Sequence, residues 1–361
     1  MRLQSPSGLV GLLLVALLVV GCGAPQPSAA TVASSSPVPA PNTPVATAPV
    51  AAAPNTLTPS FCRVGAPLAR FSVVATYAHD PSAYTQGLVY FGNDTVYEGT
   101  GYWQSSALRE ATLSSGQVQR QVLLTTVAPP QAGAQPAFGE GIAVAGNRIF
   151  QLTWQSGFGL IYDRTTFQLV GRFTYPPPGR QMPVEGWGLT YDGSRLIMSD
   201  GSGTLYFIDP VATERDGVLS ISGTVAAHDS QGALDELNEL EYVNGAVYAN
   251  IWNCDLIARI DATTGAVQAY LDLHSLRALL PVTPNVVPEV LNGIAYDAVS
   301  GRLLVTGKWW PSLFVLTLPV AFTYLPLAQK IADFRLQILD CRLQVADCRR
   351  SPVAANLQFK I

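Results

Sequence analysis

Charge is scarce in this chain. Asp, Glu, Lys and Arg make up 13% of its 361 residues, against roughly 25% in an average domain. The net charge of -4 has the wrong sign for a nucleic-acid binder, which needs a basic face to neutralise phosphates. Nucleic acid is therefore not an expected partner. Histidine is scarcer still: only His79, His228 and His274 are present, and no Ser/His/Asp relay or zinc site is readable from them. The apolar run Leu9 to Val20 falls short of the ~20 residues a membrane helix needs. It suits the core of a secretion signal instead.

What the chain has in quantity is a phrase said five times: Gln86-Gly87-Leu88-Val89-Tyr90, Glu140-Gly141-Ile142-Ala143-Val144, Trp187-Gly188-Leu189-Thr190-Tyr191, Asn238-Glu239-Leu240-Glu241-Tyr242 and Asn292-Gly293-Ile294-Ala295-Tyr296. The leading residues are spaced by 54, 47, 51 and 54 positions (86 to 140, 187, 238 and 292). Self-similarity at that period marks a propeller or a solenoid. After each phrase comes a turn, such as Asn93-Asp94, Asp192-Gly193 or Asn244-Gly245, then a second apolar run. Asn-Gly and Asp-Gly accept the positive φ of hairpin turns, so these pairs read as hairpins. A third run follows, as in Leu205 to Asp209, and a fourth is clearest at Gln117 to Leu124. The expected fold is all-β: a five-bladed β-propeller with four-stranded antiparallel blades, whose radial closure removes free sheet edges. A β-sandwich of unrelated hairpins would not repeat its inner-strand wording.

The fifth repeat, Asn292 to Leu318, has room for only three strands. An early strand at 70–78 is expected to supply the missing one and lock the ring, so the fold should begin near Phe71. Four segments are expected: a lipoprotein-type signal at 1–22, an Ala/Pro/Ser/Thr-rich tether at 23–60, the propeller at 61–325 and a heptad-like tail at 326–361. Val19-Val20-Gly21-Cys22 resembles a bacterial lipobox, with Cys22 as the lipidated residue; an ordinary secretory signal is the alternative. The tether lacks the large side chains a core requires. These features place the domain outside the cytoplasm, with the lipid on Cys22 as its membrane attachment. Export permits disulfides; Cys62 with Cys254 is one pairing, and two isolated buried thiols is the other reading. Cys341 and Cys348 fall in the tail, where Asp333-Phe334-Arg335-Leu336-Gln337 is echoed seven residues later.

In a propeller the inner strands line a channel, and one mouth gathers side chains from every blade. The phrase then delivers Gln86, Glu140, Trp187, Asn238 and Asn292, with Tyr84, Phe138 and Glu185 two residues earlier on the same face. The next strands add Glu98, Trp154, Asn250, Trp252 and Lys308. Aromatic walls with a few polar groups describe a small-ligand pocket; inter-blade packing is the competing role for Trp154, Trp187 and Trp252. The phrase glycines read as close-approach residues where inner strands crowd. Asp163, Asp209 and Asp261 end third strands at matching places and read as turn caps. Glu140 differs, because burying an acid on an inner strand costs desolvation unless it faces water or a partner.

The wording Tyr84-Thr85-Gln86-Gly87-Leu88, Phe138-Gly139-Glu140-Gly141-Ile142, Leu152-Thr153-Trp154, Glu185-Gly186-Trp187-Gly188-Leu189, Ser199-Asp200-Gly201-Ser202, Leu237-Asn238-Glu239, Asn250-Ile251-Trp252, Leu291-Asn292-Gly293 and Thr306-Gly307-Lys308-Trp309-Trp310 resembles the plant-type glutaminyl-peptide cyclotransferases. The resemblance runs over about 70–318, with Tyr84 standing where the family has Phe. It implies a five-bladed propeller that closes an N-terminal glutamine of a peptide to pyroglutamate and releases ammonia. By the same resemblance Glu140 is the general acid/base, Lys308 or an amide (Gln86, Asn238) steadies the oxyanion, and Trp154, Trp187 and Trp252 enclose the glutamyl side chain. Tyr84 and Phe138 complete the substrate wall. Peptides beginning with Gln are the expected partner of a monomer, and no cofactor is required. A structural divalent cation on the channel axis, held by main-chain oxygens, is a further expectation that no side-chain pattern tests. Two other functions fit the same architecture: a non-catalytic propeller that binds peptides or sugar, and a metal-dependent lactonase-like hydrolase using Glu140, Glu239 and Glu241.

Overall fold

Asn93 and Asp94 (φ 49° and 64°) and Asn244 and Gly245 (φ 48° and 91°) sit in the left-handed region at both central positions of their turns. That geometry matches the right-handed twist of paired strands, so each turn returns the chain beside itself as a hairpin. Such hairpins build five four-stranded antiparallel sheets, and the fold is a five-bladed β-propeller. A computed structural model describes residues 62–176, 183 and 185–318. The signal, the tether, the tail and the boundary at 325 lie outside the described residues.

From the axis outward, blade 1 contains Thr85–Gly92, Thr95–Thr100, Ala107–Thr112 and Val118–Leu123. Blade 2 contains Gly139–Ala145, Arg148–Thr153, Phe158–Asp163 and Leu169–Thr174. Blade 3 contains Leu189–Tyr191, Leu196–Met198, Thr204–Ile208 and Ile221–Ala226. Blade 4 contains Leu237–Val243, Ala246–Ile251, Leu256–Asp261 and Val267–Asp272. In blade 5, Leu291–Asp297, Arg302–Gly307 and Ser312–Thr317 are completed by the early strand Ser72–Ala78, the expected clasp.

The fold starts earlier than Phe71. Leu68–Ala69 adds a parallel fifth strand to the outer edge of blade 4, and a disulfide joins Cys62 to Cys254 in the same blade, with Cα atoms 5.7 Å apart. Export had allowed either that bond or two isolated thiols; the bond is formed. The chain thus fastens blade 4 first and then crosses to blade 5. The sequence period gave no sign of this extra strand, because it lies outside the repeat.

Five apolar clusters fill the five gaps between neighbouring blades. Fully buried Ile142, Ile149 and Leu160 meet Leu108 and Leu124 between blades 1 and 2. Between blades 5 and 1, where the ring closes, Ala75 of the clasp packs with Leu88, Val96 and Leu304. The inner-strand glycines serve these gaps. A Cβ on Gly141 would lie 2.6 Å from both the Leu189 amide nitrogen and the Trp187 oxygen, space already taken by the hydrogen bond from Gly141 N to Trp187 O (2.7 Å). Asp163, Asp209 and Asp261 cap turns as read: Asp209 accepts from the Val211 and Ala212 amides at 2.9 and 3.0 Å.

Candidate active site

Four of the five inner strands break register at the repeated phrase, between Thr85 and Gly87, Gly139 and Ile142, Leu237 and Leu240, and Leu291 and Ile294. A bulge leaves its extra residue unpaired and re-aims the side chain. Gln86, Glu140, Asn238 and Asn292 all occupy such bulges. In blade 3 the inner strand starts only at Leu189, and Trp187 lies just before it, its N–H donating to Ser199 O at 3.0 Å. Trp154, Trp252 and Lys308 each stand one residue beyond a second strand.

Glu140 lies at the centre of what these bulges collect. It is 4% exposed, and its Oε1 accepts a hydrogen bond from Gln86 Nε2 at 3.0 Å. Gln86 is itself held by Asn292 Nδ2, which donates to its Oε1 at 3.1 Å and to Thr85 O at 2.9 Å. Burial pushes the Glu140 carboxyl well above the usual range; the Lys308 charge pulls it back, and Glu185 raises it further. Burial lowers Lys308, against the pull of Glu140 and Glu289. Its ammonium stands 4.8 Å from the centre of the Tyr84 ring, a cation–π distance.

An aromatic wall surrounds the pair. Tyr84 meets Phe138 edge-on at 6.0 Å, and Phe138 meets Trp154 at 5.9 Å. Glu185 ties Trp154 to Trp187 by accepting from both indole Nε1–H groups, the second at 3.0 Å. Trp187 meets Trp252 edge-on at 5.6 Å. Trp252 remains 39% exposed and borders a cleft of ≈ 530 Å³ reaching Cys62, Asp235 and Glu236. The tryptophans therefore form the wall and rim rather than filler between blades. The Asn238 Oδ1 and Asn292 Oδ1 atoms are buried without a partner among the described residues.

Two expected members of the opening lie elsewhere. Glu98 turns away from the mouth and accepts from Thr85 Oγ1 (2.8 Å) while facing His79 Nε2 (3.0 Å). Asn250 is fully buried, its Oδ1 accepting from the Gly293 amide at 3.0 Å. Glu239 is also spoken for: its two oxygens accept from Leu88 N of blade 1 and Ile294 N of blade 5, at 3.1 and 2.7 Å. Glu241 accepts from Thr190 Oγ1 at 3.2 Å. These carboxylates pin inner strands together.

The structure adds residues that sequence reading passed over. Tyr102, Trp103 and Trp309 join the wall, with Tyr102 and Trp309 both against Tyr84 (5.5 and 5.0 Å) and Trp103 against Phe138 (5.1 Å). Glu289 accepts from the Tyr84 hydroxyl at 3.1 Å. Tyr102, Gln104 and Trp309 hold positive φ (88°, 68° and 59°), backbone strain of the kind that gathers at functional sites. Adjacent aromatics in the turn Gly101-Tyr102-Trp103 were the available signal.

The family profile described as glutamine cyclotransferase matches residues 45–318. A glutaminyl-peptide cyclotransferase of Arabidopsis thaliana is 36% identical over 249 residues, covering 69% of this chain and 71% of that protein. The crystal structure of Myxococcus xanthus glutaminyl cyclase superposes with a TM-score of 0.58 at 34% identity, over 70% of this chain and 98% of the other. On the profile, the relative and the shared propeller together, this chain belongs to the glutamine cyclotransferase family.

Proposed function

We infer that this chain is a glutaminyl-peptide cyclotransferase, closing the N-terminal glutamine of a peptide to pyroglutamate with loss of ammonia. The observation that carries the mechanism is a buried acid, Glu140, set in an aromatic wall with one cation, Lys308, acting on it. A free α-amine titrates near pH 8 (~7.7–8.0), so much of it is charged in neutral solution and must lose a proton before it can attack. A carboxylate raised by burial is matched to take that proton. The neutral amine then attacks the side-chain amide carbon and closes a five-membered ring. The oxyanion that forms is stabilised by Lys308, whose charge costs least when a partner charge develops beside it. Glu140 returns the proton to the leaving nitrogen as the carbon–nitrogen bond breaks, and the second hydrogen of the ring nitrogen passes to the departing ammonia, which leaves as ammonium. Gln86 orients Glu140, and Trp154, Trp187, Phe138 and Tyr84 fold the glutamyl chain toward near-attack geometry. Asn238 offers its unpaired carbonyl to a substrate N–H. These steps use only protein groups.

The test is ammonia release from a Gln-initiated dipeptide. General acid/base groups contribute about 10²- to 10⁴-fold, so Glu140→Gln is expected to lose at least about a hundredfold in kcat with an unchanged melting curve. Normal turnover in that variant would remove Glu140 from the mechanism. Saturable binding without ammonia would return the chain to a binding propeller.

We further propose that residues 1–22 are a lipoprotein signal, that Cys22 carries the lipid and that residues 23–60 hold a monomeric enzyme off the membrane surface outside the cytoplasm. Support comes from the lipobox-like ending and the uncharged, Pro-rich tether. Loss of membrane association in Cys22→Ser would be the expected outcome; persistent association would count against it.

A further inference from the structure

Behind the pocket lies a half-buried histidine, its side chain 10% exposed, that the mechanism does not use. His79 follows directly on the clasp strand. Its backbone N–H donates to Pro311 O at 3.0 Å, and its ring Nδ1 stands 2.6 Å from Trp310 O. Both oxygens belong to the turn after Arg302–Gly307, the turn that carries Lys308. On the other side, Nε2 lies 3.0 Å from Glu98 Oε1, on the second strand of blade 1.

The chemistry of these partners fixes the state of the ring. Trp310 O is a carbonyl and can only accept, so Nδ1 carries a hydrogen. Thr306 Oγ1, 3.3 Å from Nδ1, gives its own hydrogen to Ser312 O at 2.9 Å and so turns a lone pair toward the ring. Glu98 receives the Thr85 hydroxyl at 2.8 Å and presents its carboxylate to Nε2. Both ring nitrogens thus face acceptors, which an imidazolium satisfies and a neutral imidazole does not. Charges close to it are Glu98, the adjacent Asp80, and Arg109, which donates to Asp80 at 2.9 Å. Burial pulls His79 down, yet the Glu98 carboxylate and these hydrogen bonds together leave it above the ordinary histidine value.

We propose that His79, held as an imidazolium by Glu98, is a positioning residue for the cyclisation: it grips the turn from Gly307 to Pro311 and thereby sets where Lys308 stands relative to Glu140. The turn needs an external grip, since Trp309 holds a φ of 59°, a conformation that persists only when its surroundings enforce it. The same grip reaches the other half of the site. Thr85, bonded to Glu98, adjoins Gln86, and Gln86 orients Glu140. His79 therefore couples the lysine turn of blade 5 to the acid-orienting strand of blade 1 across the seam where the ring closes.

This inference rests on the reading of Lys308 as the oxyanion partner, and the experiment separates the two. Ring ¹⁵N NMR of the wild-type protein is expected to show His79 still doubly protonated above the ordinary histidine pKa of about 6.5; a ring already neutral there overturns the proposal, whatever any variant does. His79→Gln is expected to keep KM within about twofold while kcat falls about tenfold, the worth of a charge-assisted hydrogen bond. Unchanged kcat in folded His79→Gln overturns it too. Should that variant fail to fold, Glu98→Gln, which removes the counter-charge but keeps an acceptor, is expected to lower kcat and abolish the double protonation. Unchanged kcat there is equally fatal. Lys308→Met serves as the control: normal turnover would sink the reading of Lys308, whereas a slowed Lys308→Met beside a normal His79→Gln would sink only the role of His79.

Discussion

At the scale of single residues, the site is a balance of opposed pushes on one carboxyl. Burial raises Glu140, Lys308 lowers it and Glu185 raises it again. The signs give a paired prediction. Lys308→Met removes the lowering charge, so Glu140 should titrate higher, and the acidic limb of the kcat/KM profile should move to higher pH. Glu185→Gln removes the raising charge and keeps an acceptor for an indole N–H, so that limb should move to lower pH. Shifts in opposite directions are expected. Profiles from both variants on a Gln-initiated dipeptide check this, and shifts of the same sign would show that the acidic limb belongs to another group. Glu140 was legible in the sequence because an acid inside an inner-strand phrase has to be explained. Its partners were less so. Glu98 and Glu140 look alike on paper, yet one faces the mouth and the other faces His79, and the difference lies in bulges that leave no separate letter in the sequence.

Those bulges are the working element of the molecule. A regular inner strand would alternate its side chains between the two blade gaps. The break in register at Gln86, Glu140, Asn238 and Asn292 takes these residues out of that alternation. The glycine beside Glu140 makes room for that break, because Gly141 lies against the backbone at Trp187 and Leu189. Gly141→Ala should therefore cost about 1–3 kcal/mol by overpacking against atoms that cannot yield. Gly223→Ala, on an outer strand with its nearest neighbour 3.9 Å away, should change stability by under about 0.5 kcal/mol. Urea unfolding of both variants measures the difference, and equal costs would mean that strand crowding does not set the glycine. The repeat period, the hairpin turns and the missing strand of the fifth blade were all readable, since each follows from local chain chemistry. The edge strand Leu68–Ala69 was not, because its pairing is parallel, only two residues long and set by distant contacts. Tyr102 and Trp103 were missed for a related reason: they lie in a loop outside the repeated phrase.

For the whole molecule the decisive event is closure. Blades 1 to 4 are each built from consecutive hairpins, but blade 5 is completed by chain more than two hundred positions earlier, with Ser72 opposite Thr317 and Ala78 opposite Ser312. The two fastenings act at different places. The Cys62–Cys254 bond spans 192 residues and constrains the unfolded chain, an effect of up to about 5 kcal/mol for a loop of this size. It lies on blade 4, away from the seam. The clasp strand lies on blade 5 and packs Ala75 into the gap facing blade 1. Replacing Cys62 and Cys254 by serine should accordingly lower the unfolding midpoint while leaving one transition, because every blade keeps its four strands. Deleting residues 68–80 should do something different in kind: it strips blade 5 of its outer strand, opens the apolar seam to water and removes the His79 grip. Unfolding should then lose its single cooperative transition, and ammonia release should fall with it. Calorimetry of the two variants distinguishes the outcomes, and a deletion variant that melts in one step near the parent temperature would show that the ring does not depend on its clasp.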